Sequence, residues 1–248
     1  PETISAQALG WIDERTRAIT PPIHVSSTYL RDADNQYRSG RVYARADNPA
    51  FDQAEAVICA LEHGHAAALF ASGMAAATAV FQALAPGDHV LAPKVMYWSL
   101  RNWLLTFATQ WGLDVELIDM TDPAVVRAAI RPGKTKLVWI ETPSNPLLRI
   151  TDLRFVIDAA HRAGALALVD NTFLSPALQT PIDFGADLVL HSTTKYLNGH
   201  SDVVGGAVIS RDAALHEQLV WWANALGLTG SPFDSFLTLR GVRTLDAR

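Results

Sequence analysis

Residues 165–172 of the chain read ALALVDNT, and this stretch decides the fold. Five apolar residues in a row, Ala165–Val169, predict a short strand that is covered on both faces, a pattern typical of parallel sheets. Just upstream, a helix is predicted to open at Thr151-Asp152 and to stop at Gly164. A helix followed by a buried strand that ends in the carboxylate Asp170 indicates an α/β protein with a ligand site at the strand ends.

The same alternation of short apolar runs and longer amphipathic stretches continues along the chain. Asn48 followed by Pro49 predicts the start of another helix, which Gly64 should close. We therefore predict a mostly parallel sheet sandwiched by helices. The remaining predicted strands are residues 66–71, 89–92, 114–118, 136–140, 188–190 and 206–209.

Three parts are predicted along the chain. Residues 1–47 show no strong periodicity and contain Pro21-Pro22, which favours an extended N-terminal arm. Residues 48–230 carry all the predicted strands and form the main domain. Residues 231–248 begin a further helical pattern for which no closing cap is recognised.

Composition excludes several classes of protein. The 248 residues are 49% hydrophobic and 18% charged, which excludes a mostly disordered chain. The net charge is −5 and no cluster of Lys and Arg occurs, so no nucleic-acid partner is expected. Cys59 is the only cysteine, which excludes a disulfide within the chain and a Cys-based zinc site. We expect a cytoplasmic location and no metal ligands.

One uncharged segment, Ala66–Gly87, is long enough to suggest a membrane-spanning helix. Ser72-Gly73 interrupts it after a short apolar run, and Gln82 and Pro86 interrupt its far end. We interpret the segment as a buried strand, a turn and a buried helix, and we expect no membrane partner.

Two predicted strands are followed by residues that suggest chemistry. Asp170 places a carboxylate at a strand end, where it can face a cation such as a protonated pyridine nitrogen, although a plain turn cap is the alternative. The segment HSTTKY, residues 191–196, follows another strand. In this segment Lys195 can act as a Schiff-base nucleophile, and the hydroxyls of Ser192 and Thr194 can bind a phosphate. An exposed turn lysine is the alternative.

Two further segments are weaker signals. In ASGMAA, residues 71–76, a strand ends and a helix begins, which exposes backbone N–H groups that can bind an anion. In ETPSNP, residues 141–146, two prolines stiffen the loop and hold Asn145 in place, although a rigid turn is the simpler interpretation. Pyridoxal phosphate needs all four features: a lysine, a carboxylate for its ring nitrogen, an anion site for its phosphate and an oriented amide.

A different enzyme class shares one of these motifs. Residues 192–195 match Ser-x-x-Lys, the nucleophile motif of serine β-lactamases and penicillin-binding proteins. That class also needs Ser-Asp-Asn and Lys-Thr-Gly further along the chain. Here Ser201-Asp202 is followed by Val203, and Lys134-Thr135 lies upstream without the glycine, which disfavours a serine hydrolase.

At these residues the sequence resembles the Cys/Met-metabolism family of pyridoxal-phosphate enzymes, the transsulfuration enzymes. The resemblance runs from PPI at residues 21–23 to LRG at 239–241, and it is most specific in DNTF at 170–173, HSTTKYL at 191–197 and GHSD at 199–202. It implies the PLP-dependent transferase fold type I, which is aspartate aminotransferase-like. Residues 48–230 would then be the PLP-binding large domain. Residues 231–248 would start an interdomain helix that leads to a C-terminal domain missing from this chain.

The resemblance also implies roles for individual residues. Lys195 would hold pyridoxal 5′-phosphate as a Schiff base and shuttle protons, and Asp170 would keep the pyridine nitrogen protonated. Tyr97 would stack on the cofactor and assist the leaving group, and Asn145 would meet the ring hydroxyl. The implied phosphate ligands are Gly73, Met74, Ser192 and Thr194.

Two residues of the arm are implied to act in another subunit. Tyr43 and Arg45 match the pair that reaches the phosphate of a neighbouring site, which implies a homotetramer built as a dimer of active dimers. The expected substrate is a small amino acid.

Which family member the chain resembles most is a separate question. Residues 169–204, WWAN at 221–224 and FDSF at 233–236 look most like bacterial cystathionine γ-synthases, which join an activated homoserine to cysteine. Residues 98–103, WSLRNW, replace the usual small residues after the stacking tyrosine. Cystathionine γ- or β-lyase, homoserine sulfhydrylase and methionine γ-lyase therefore stay open. So does an inactive cofactor-binding remnant, because no arginine here matches the family's substrate-carboxylate ligand.

Overall fold

A seven-stranded sheet forms the centre of the structure, a computed structural model that describes residues 1–248. The spatial order is β1-β7-β6-β5-β4-β2-β3, in which only β7 runs antiparallel to its neighbours. All seven predicted strands are confirmed, and no end moves by more than one residue. The strands are β1 (Ala66–Phe70), β2 (His89–Pro93), β3 (Asp114–Ile118), β4 (Thr135–Glu141), β5 (Leu166–Asp170), β6 (Leu188–His191) and β7 (Gly206–Ser210).

Helices cover both faces of this sheet, as the apolar strands predict. They are α1 (Glu2–Gln7), α2 (Pro49–Glu62), α3 (Gly73–Gln82), α4 (Trp98–Trp103), α5 (Thr109–Trp111), α6 (Pro123–Ala129), α7 (Leu153–Arg162), α8 (Ser175–Leu178), α9 (Ala213–Leu226) and α10 (Pro232–Val242). A π-helical segment, Leu104–Ala108, joins α4 to α5, and 3-10 turns occupy Ala8–Gly10, Pro181–Phe184 and Leu245–Ala247.

Two apolar cores result, one on each face of the sheet. Helices α2, α6, α7 and α10 cover one face, and α3, α4 and α9 cover the other. Strand β4 shows why its sequence is apolar throughout. Leu137 and Trp139 enter one core, Val138 and Ile140 enter the other, and none of the four is exposed to solvent.

The predicted helix caps are mostly confirmed, with one correction. The Asn48 side chain accepts a hydrogen bond from the Ala50 N–H at 2.8 Å and opens α2. The helix closes at His63, which takes the left-handed conformation (φ 59°), and not at Gly64. Gly64 is needed for another reason, because a Cβ there would overlap the Ile209 side chain of β7.

The structure differs from the predicted extended arm, residues 1–47, in the first residues of the chain. Residues 11–47 contain no helix or strand beyond an isolated bridge between Thr28 and Tyr43. The first residues instead form α1, whose Ser5 hydroxyl donates to the Val242 carbonyl at 3.0 Å. A six-residue helix is too short to be stable by itself, so its stability comes from packing on the domain, which local periodicity does not reveal.

The uncharged segment Ala66–Gly87 forms β1, a turn and α3, as predicted. The Ser72 hydroxyl accepts the Ala75 N–H at 3.0 Å and begins α3. No helix of the structure has the length and apolar character needed to cross a membrane.

Helix α10 confirms the helical pattern predicted after residue 231. It begins at Ser231, whose hydroxyl accepts the Asp234 N–H at 3.0 Å. The helix lies against the loop that follows β6, and Arg240 forms an ion pair with Asp202 of that loop. Gly241 allows this approach, because a Cβ there would lie well inside van der Waals contact of the Asn198 carbonyl oxygen.

We predict that Gly241→Ala destabilises the protein by about 1–3 kcal/mol, since the added methyl group overpacks a backbone contact. This loss should exceed the gain of about 1 kcal/mol that alanine brings inside a helix. Urea denaturation measures the free energy of unfolding. Gly230→Ala is the matched control, because its Cβ would meet the Phe70 carbonyl oxygen at an ordinary 3.7 Å. Equal stability of the two variants would contradict the tight contact.

Candidate active site

Three neighbouring parallel strands end at one edge of the sheet, and each ends in a polar residue. Glu141 of β4 lies opposite Asp170 of β5, and Asp170 lies opposite Leu190 of β6, one residue before His191. Ligands of parallel α/β sheets bind outside the carboxyl ends of the strands. This edge is therefore the candidate site, and it is where the sequence predicted one.

Asp170 is connected by hydrogen bonds to the loop of Lys195. The Thr172 N–H donates to Oδ1 of Asp170 at 3.1 Å, and the Ser192 N–H donates to Oγ1 of Thr172 at 2.8 Å. Burial raises the pKa of the Asp170 carboxyl above its ordinary value, against the lowering effect of the Thr172 hydrogen bonds. A buried carboxyl with this property is stabilised in its ionised form when a cation lies beside it.

Helix α3 points its N-terminus at the same site. Ser72 satisfies the N–H groups of Ala75 and Ala76, through its hydroxyl and its carbonyl oxygen respectively. The N–H groups of Gly73 and Met74 have no acceptor in the chain. These two free donors at the positive end of a helix are suited to an anion.

Glycines let the start of α3 approach its neighbours closely. A Cβ on Gly73 would lie 2.8 Å from Cβ of Ser192, and a Cβ on Gly206 would overlap the Ser72 carbonyl. The Ser192 hydroxyl makes no hydrogen bond within the chain. By contrast, Oγ1 of Thr194 donates to the Gly205 carbonyl at 3.2 Å and accepts the Gly205 N–H at 3.1 Å. The structure thus brings Gly73 and Ser192 together and engages Thr194 with the backbone.

Lys195 lies on a turn that is fixed by its backbone. Its N–H donates to the Ser192 carbonyl at 3.2 Å, and its own carbonyl accepts the Gly199 N–H at 2.8 Å. The side chain is exposed, and its Nζ makes no hydrogen bond or ion pair. A lysine held in this way has an amine free for a ligand.

Tyr97 and Asn145 reach the site through a residue that sequence reasoning missed. Oε2 of Glu141 accepts the Tyr97 N–H at 2.9 Å, and Oε1 accepts the Asn145 N–H at 2.6 Å. Glu141 follows the apolar run 137–140 just as Asp170 follows 165–169, so the same pattern could have found it.

The Glu141 carboxyl is buried, and its environment disfavours charge. Burial, and then the neighbouring Asp170, raise the pKa of Glu141 to about 8, while the two backbone N–H donors act to lower it. Two adjacent carboxyls that both resist ionisation mark this edge as a place where positive charge is stabilised.

Tyr43 and Arg45 are not brought to these residues within the chain. Nε of Arg45 donates to Oδ1 of Asn224 on α9 at 3.1 Å, and its guanidinium lies 5.2 Å from the centre of the Tyr43 ring. No hydrogen bond or ion pair connects either residue to Lys195 or Asp170. Their role in a neighbouring subunit stays a prediction.

A buried polar network, which sequence reasoning also missed, connects α2 to the ends of β5 and β6. Oε1 of Glu62 lies 2.5 Å from Nε2 of His191 and accepts the Asn171 side-chain amide at 2.8 Å. Asn171 also exchanges hydrogen bonds with Gln179. Glu62 is distant in sequence from the other members, so no local pattern identifies it.

Comparisons with known proteins agree on one family. The family model described as Cys/Met metabolism PLP-dependent enzyme matches residues 2–248. Cystathionine gamma-synthase of Escherichia coli K12 is 47% identical over 239 residues, covering 95% of this chain and 61% of the relative. Cystathionine gamma-lyase of Bacillus subtilis 168 is 44% identical over 236 residues, covering 95% and 62%.

The solved structures confirm the predicted fold class. Cystathionine gamma synthase from Xanthomonas oryzae pv. oryzae, in complex with cystathionine, is 54% identical with a TM-score of 0.95, covering all of this chain and 64% of that one. The chain thus spans roughly three-fifths of the length of the curated relatives it matches.

The residues at the sheet edge fit the cofactor of that family. Two free N–H groups and a glycine cradle suit its phosphate, and an unpartnered lysine suits its aldehyde carbon. The buried carboxyl of Asp170 suits a protonated ring nitrogen.

The raised pKa of Glu141 predicts a pH dependence for the cofactor-free protein. Because the folded pKa of about 8 exceeds the ordinary 4.5, the folded state binds more protons than the unfolded state between these values. The contribution of Glu141 to stability is then fully present below about pH 4.5 and is lost as the pH rises through about 8. The decline should amount to a few kcal/mol. In urea denaturation across this range, Glu141→Gln should remove the part of the decline due to Glu141 and leave the parts due to Asp170 and Glu55, whose pKa values are also raised.

Glu55 of α2 provides the control. It is another carboxyl with a raised pKa, about 7, caused by burial, so Glu55→Gln should remove only the part of the decline that ends near pH 7. Identical pH profiles for the parent protein and Glu141→Gln would contradict the assignment.

Proposed function

This chain belongs to the Cys/Met metabolism PLP-dependent enzyme family, and from that membership we propose that it carries the cofactor site of a cystathionine γ-synthase. The reaction is γ-replacement on an O-acylhomoserine. The bond between Cγ and the acyloxy oxygen breaks, the sulfur of cysteine forms the new bond to Cγ, and its thiol proton leaves with the carboxylic acid. The observation that supports this most is the unpartnered Lys195, connected through Ser192 and Thr172 to the buried Asp170.

Binding of the cofactor is assigned to the residues around the start of α3. The free N–H groups of Gly73 and Met74 and the Ser192 hydroxyl would hold the phosphate, since all three are neutral donors without another partner. Thr194 would join them by exchanging its hydrogen bond to Gly205 for one to the phosphate. Asn145 would donate its side-chain amide to the ring hydroxyl.

Proton transfer is assigned to three side chains. Pyridoxal phosphate, when bound, supplies an electron-accepting ring joined to the substrate's amino group. Asp170 would hold the proton on the ring nitrogen, because its buried carboxyl is stabilised by a cation. Nζ of Lys195 would take the α-proton and deliver it elsewhere on the substrate. Tyr97 would stack on the ring and assist departure of the acyloxy group.

A homotetramer built as a dimer of active dimers is part of the proposal, with residues 1–47 as the arm, 48–230 as the large domain and 231–248 as the interdomain helix. Val25 and Leu30 of the arm are 86% and 94% exposed, which favours contact with a neighbouring subunit. Tyr43 and Arg45 would complete the neighbour's phosphate site. A cytoplasmic location is consistent with the single cysteine.

A γ-lyase is the second candidate. The Bacillus subtilis cystathionine gamma-lyase is 44% identical to this chain, within the 44–47% shown by the first cystathionine gamma-synthases. A lyase would eliminate the γ-substituent, and water would then release 2-oxobutanoate and ammonia. The active-site residues named above serve both reactions, so the distinction depends on the products.

The test is a product assay on the purified full-length protein. With an O-acylhomoserine and cysteine we expect cystathionine as the main product, and without cysteine slower formation of 2-oxobutanoate. Lys195→Ala should abolish both, because no other amine is available to move the α-proton. Main formation of 2-oxobutanoate in the presence of cysteine would favour the lyase. Cofactor binding without either product would favour an inactive remnant.

The shared site can be tested by mixing inactive variants. Lys195→Ala and Arg45→Ala should each lose activity alone. Subunits of the two variants are then mixed by partial denaturation and renaturation. About a quarter of the parental activity should return, since half of the dimers are mixed and one of the two sites in each mixed dimer is intact. The activity of a 1:1 mixture measures this. No recovery, with mixed dimers verified by differently tagged subunits, would show that Arg45 does not act across an interface.

A further inference from the structure

The carboxyl group of Glu141 connects two loops of the candidate site. The Tyr97 N–H, at the start of α4, donates to Oε2 at 2.9 Å, and the Asn145 N–H, in the loop after β4, donates to Oε1 at 2.6 Å. No other hydrogen bond connects residues 94–97 with residues 142–149. Beyond the pairing of β2 with β4, this side chain is therefore the one polar connection between the two loops.

The side chains that these loops carry have no other polar anchor. Tyr97 is 42% exposed, Asn145 is exposed as well, and neither side chain makes a hydrogen bond within the chain. The position of each side chain at the site therefore depends on the position of its backbone. Both backbones are held by Glu141.

Glu141 also lies beside Asp170, on the neighbouring strand. The two residues lie opposite each other in the parallel register of β4 and β5, and Glu141 is buried. A group that binds both loops from this position holds them relative to Asp170. A carboxylate on an exposed side chain would hold the two loops less firmly, because fixing such a side chain costs rotamer entropy.

We propose that Glu141 is a positioning residue, which places the Tyr97 ring and the Asn145 amide against a cofactor whose ring nitrogen meets Asp170. This inference rests on the proposed function, since it concerns how the same site holds pyridoxal phosphate. Its action goes through Tyr97 and Asn145 and requires no contact of Glu141 with the cofactor.

The protonation state of the Glu141 carboxyl allows a substitution that changes neither its size nor its charge. Because its pKa is raised to about 8 by burial and by Asp170, the group is mostly neutral at pH 6.5 to 7. Glu141→Gln then conserves size and charge. It replaces one acceptor oxygen by an NH₂ group, so one of the two backbone N–H groups faces a donor.

The experiment measures the affinity of the cofactor-free, full-length protein for pyridoxal 5′-phosphate by quenching of tryptophan fluorescence, near pH 6.5. We expect Glu141→Gln to weaken binding about tenfold or more, as expected for a buried donor left unpaired. The induced circular dichroism of the bound cofactor should also weaken, because it depends on a fixed orientation. Melting temperature, recorded alongside, reports general destabilisation.

Glu55→Gln is the matched control. Glu55 is a second carboxyl whose pKa is raised by burial, it accepts one backbone N–H, from Leu69 at 2.9 Å, and it makes no hydrogen bond to Tyr97, Asn145 or Asp170. We expect its cofactor affinity to stay within about twofold of the parent, as is usual for changes remote from a site. Equal losses in the two variants would overturn the proposal, because they would indicate a general effect.

A double-mutant comparison distinguishes positioning from a direct effect. In a Tyr97→Ala/Asn145→Ala background, Glu141→Gln should cost much less affinity than in the parent, since the groups it positions are gone. An undiminished loss there would overturn the proposal. Should Glu141→Gln fail to fold, Glu141→Asp is the second variant. It keeps both acceptor oxygens, but its shorter side chain places them farther from the two N–H groups. An intermediate loss is then expected, and parental affinity would contradict the proposal.

The outcome separates this inference from the proposed function. A parent protein that does not bind pyridoxal phosphate refutes the proposed function. A parent that binds it, with Glu141→Gln binding as tightly as Glu55→Gln, refutes only the role of Glu141.

Discussion

The candidate site depends on one constraint, the burial of two carboxyl groups side by side at the ends of β4 and β5. Glu141 and Asp170 are paired by the register of the sheet, so neither can move away from the other. Burying ionisable groups is costly unless hydrogen bonds or an opposite charge compensate. The protein supplies two backbone N–H donors to Glu141 and the Thr172 N–H to Asp170, and this requirement orders the surrounding loops.

The rest of the fold supports that edge from three sides. The buried pair of Glu62 and His191 anchors the ends of β5 and β6 from the α2 side. Helix α10 packs against the loop of Lys195, where Gly241 allows close contact with the backbone of Asn198. On the opposite side, the start of α3, with its two free N–H groups, lies beside Ser192, because Gly73 lacks the side chain that would block this approach. Elements remote in sequence therefore hold a small set of polar groups in place.

Much of this could be predicted because its signals are local. Strand β5 was recognised from five consecutive apolar residues, and α2 from Asn48-Pro49, since burial on two faces and helix capping each depend on adjacent residues. The helix α1 could not be predicted, because it is stabilised by a contact between Ser5 and Val242. Glu62 was missed for the same reason, as its partners lie more than a hundred residues away.

The sequence by itself determined the α/β class, the strands, the chemical types at the strand ends and the family resemblance. These depend on short-range patterns and on residue chemistry, which a linear chain displays directly. Only the tertiary structure decided that Glu141 lies beside Asp170 and binds two loops. It also decided that Thr194 is engaged with Gly205 and that Arg45 points to Asn224. Those relations depend on strand order and register, which arise from packing the whole chain and not from any one segment.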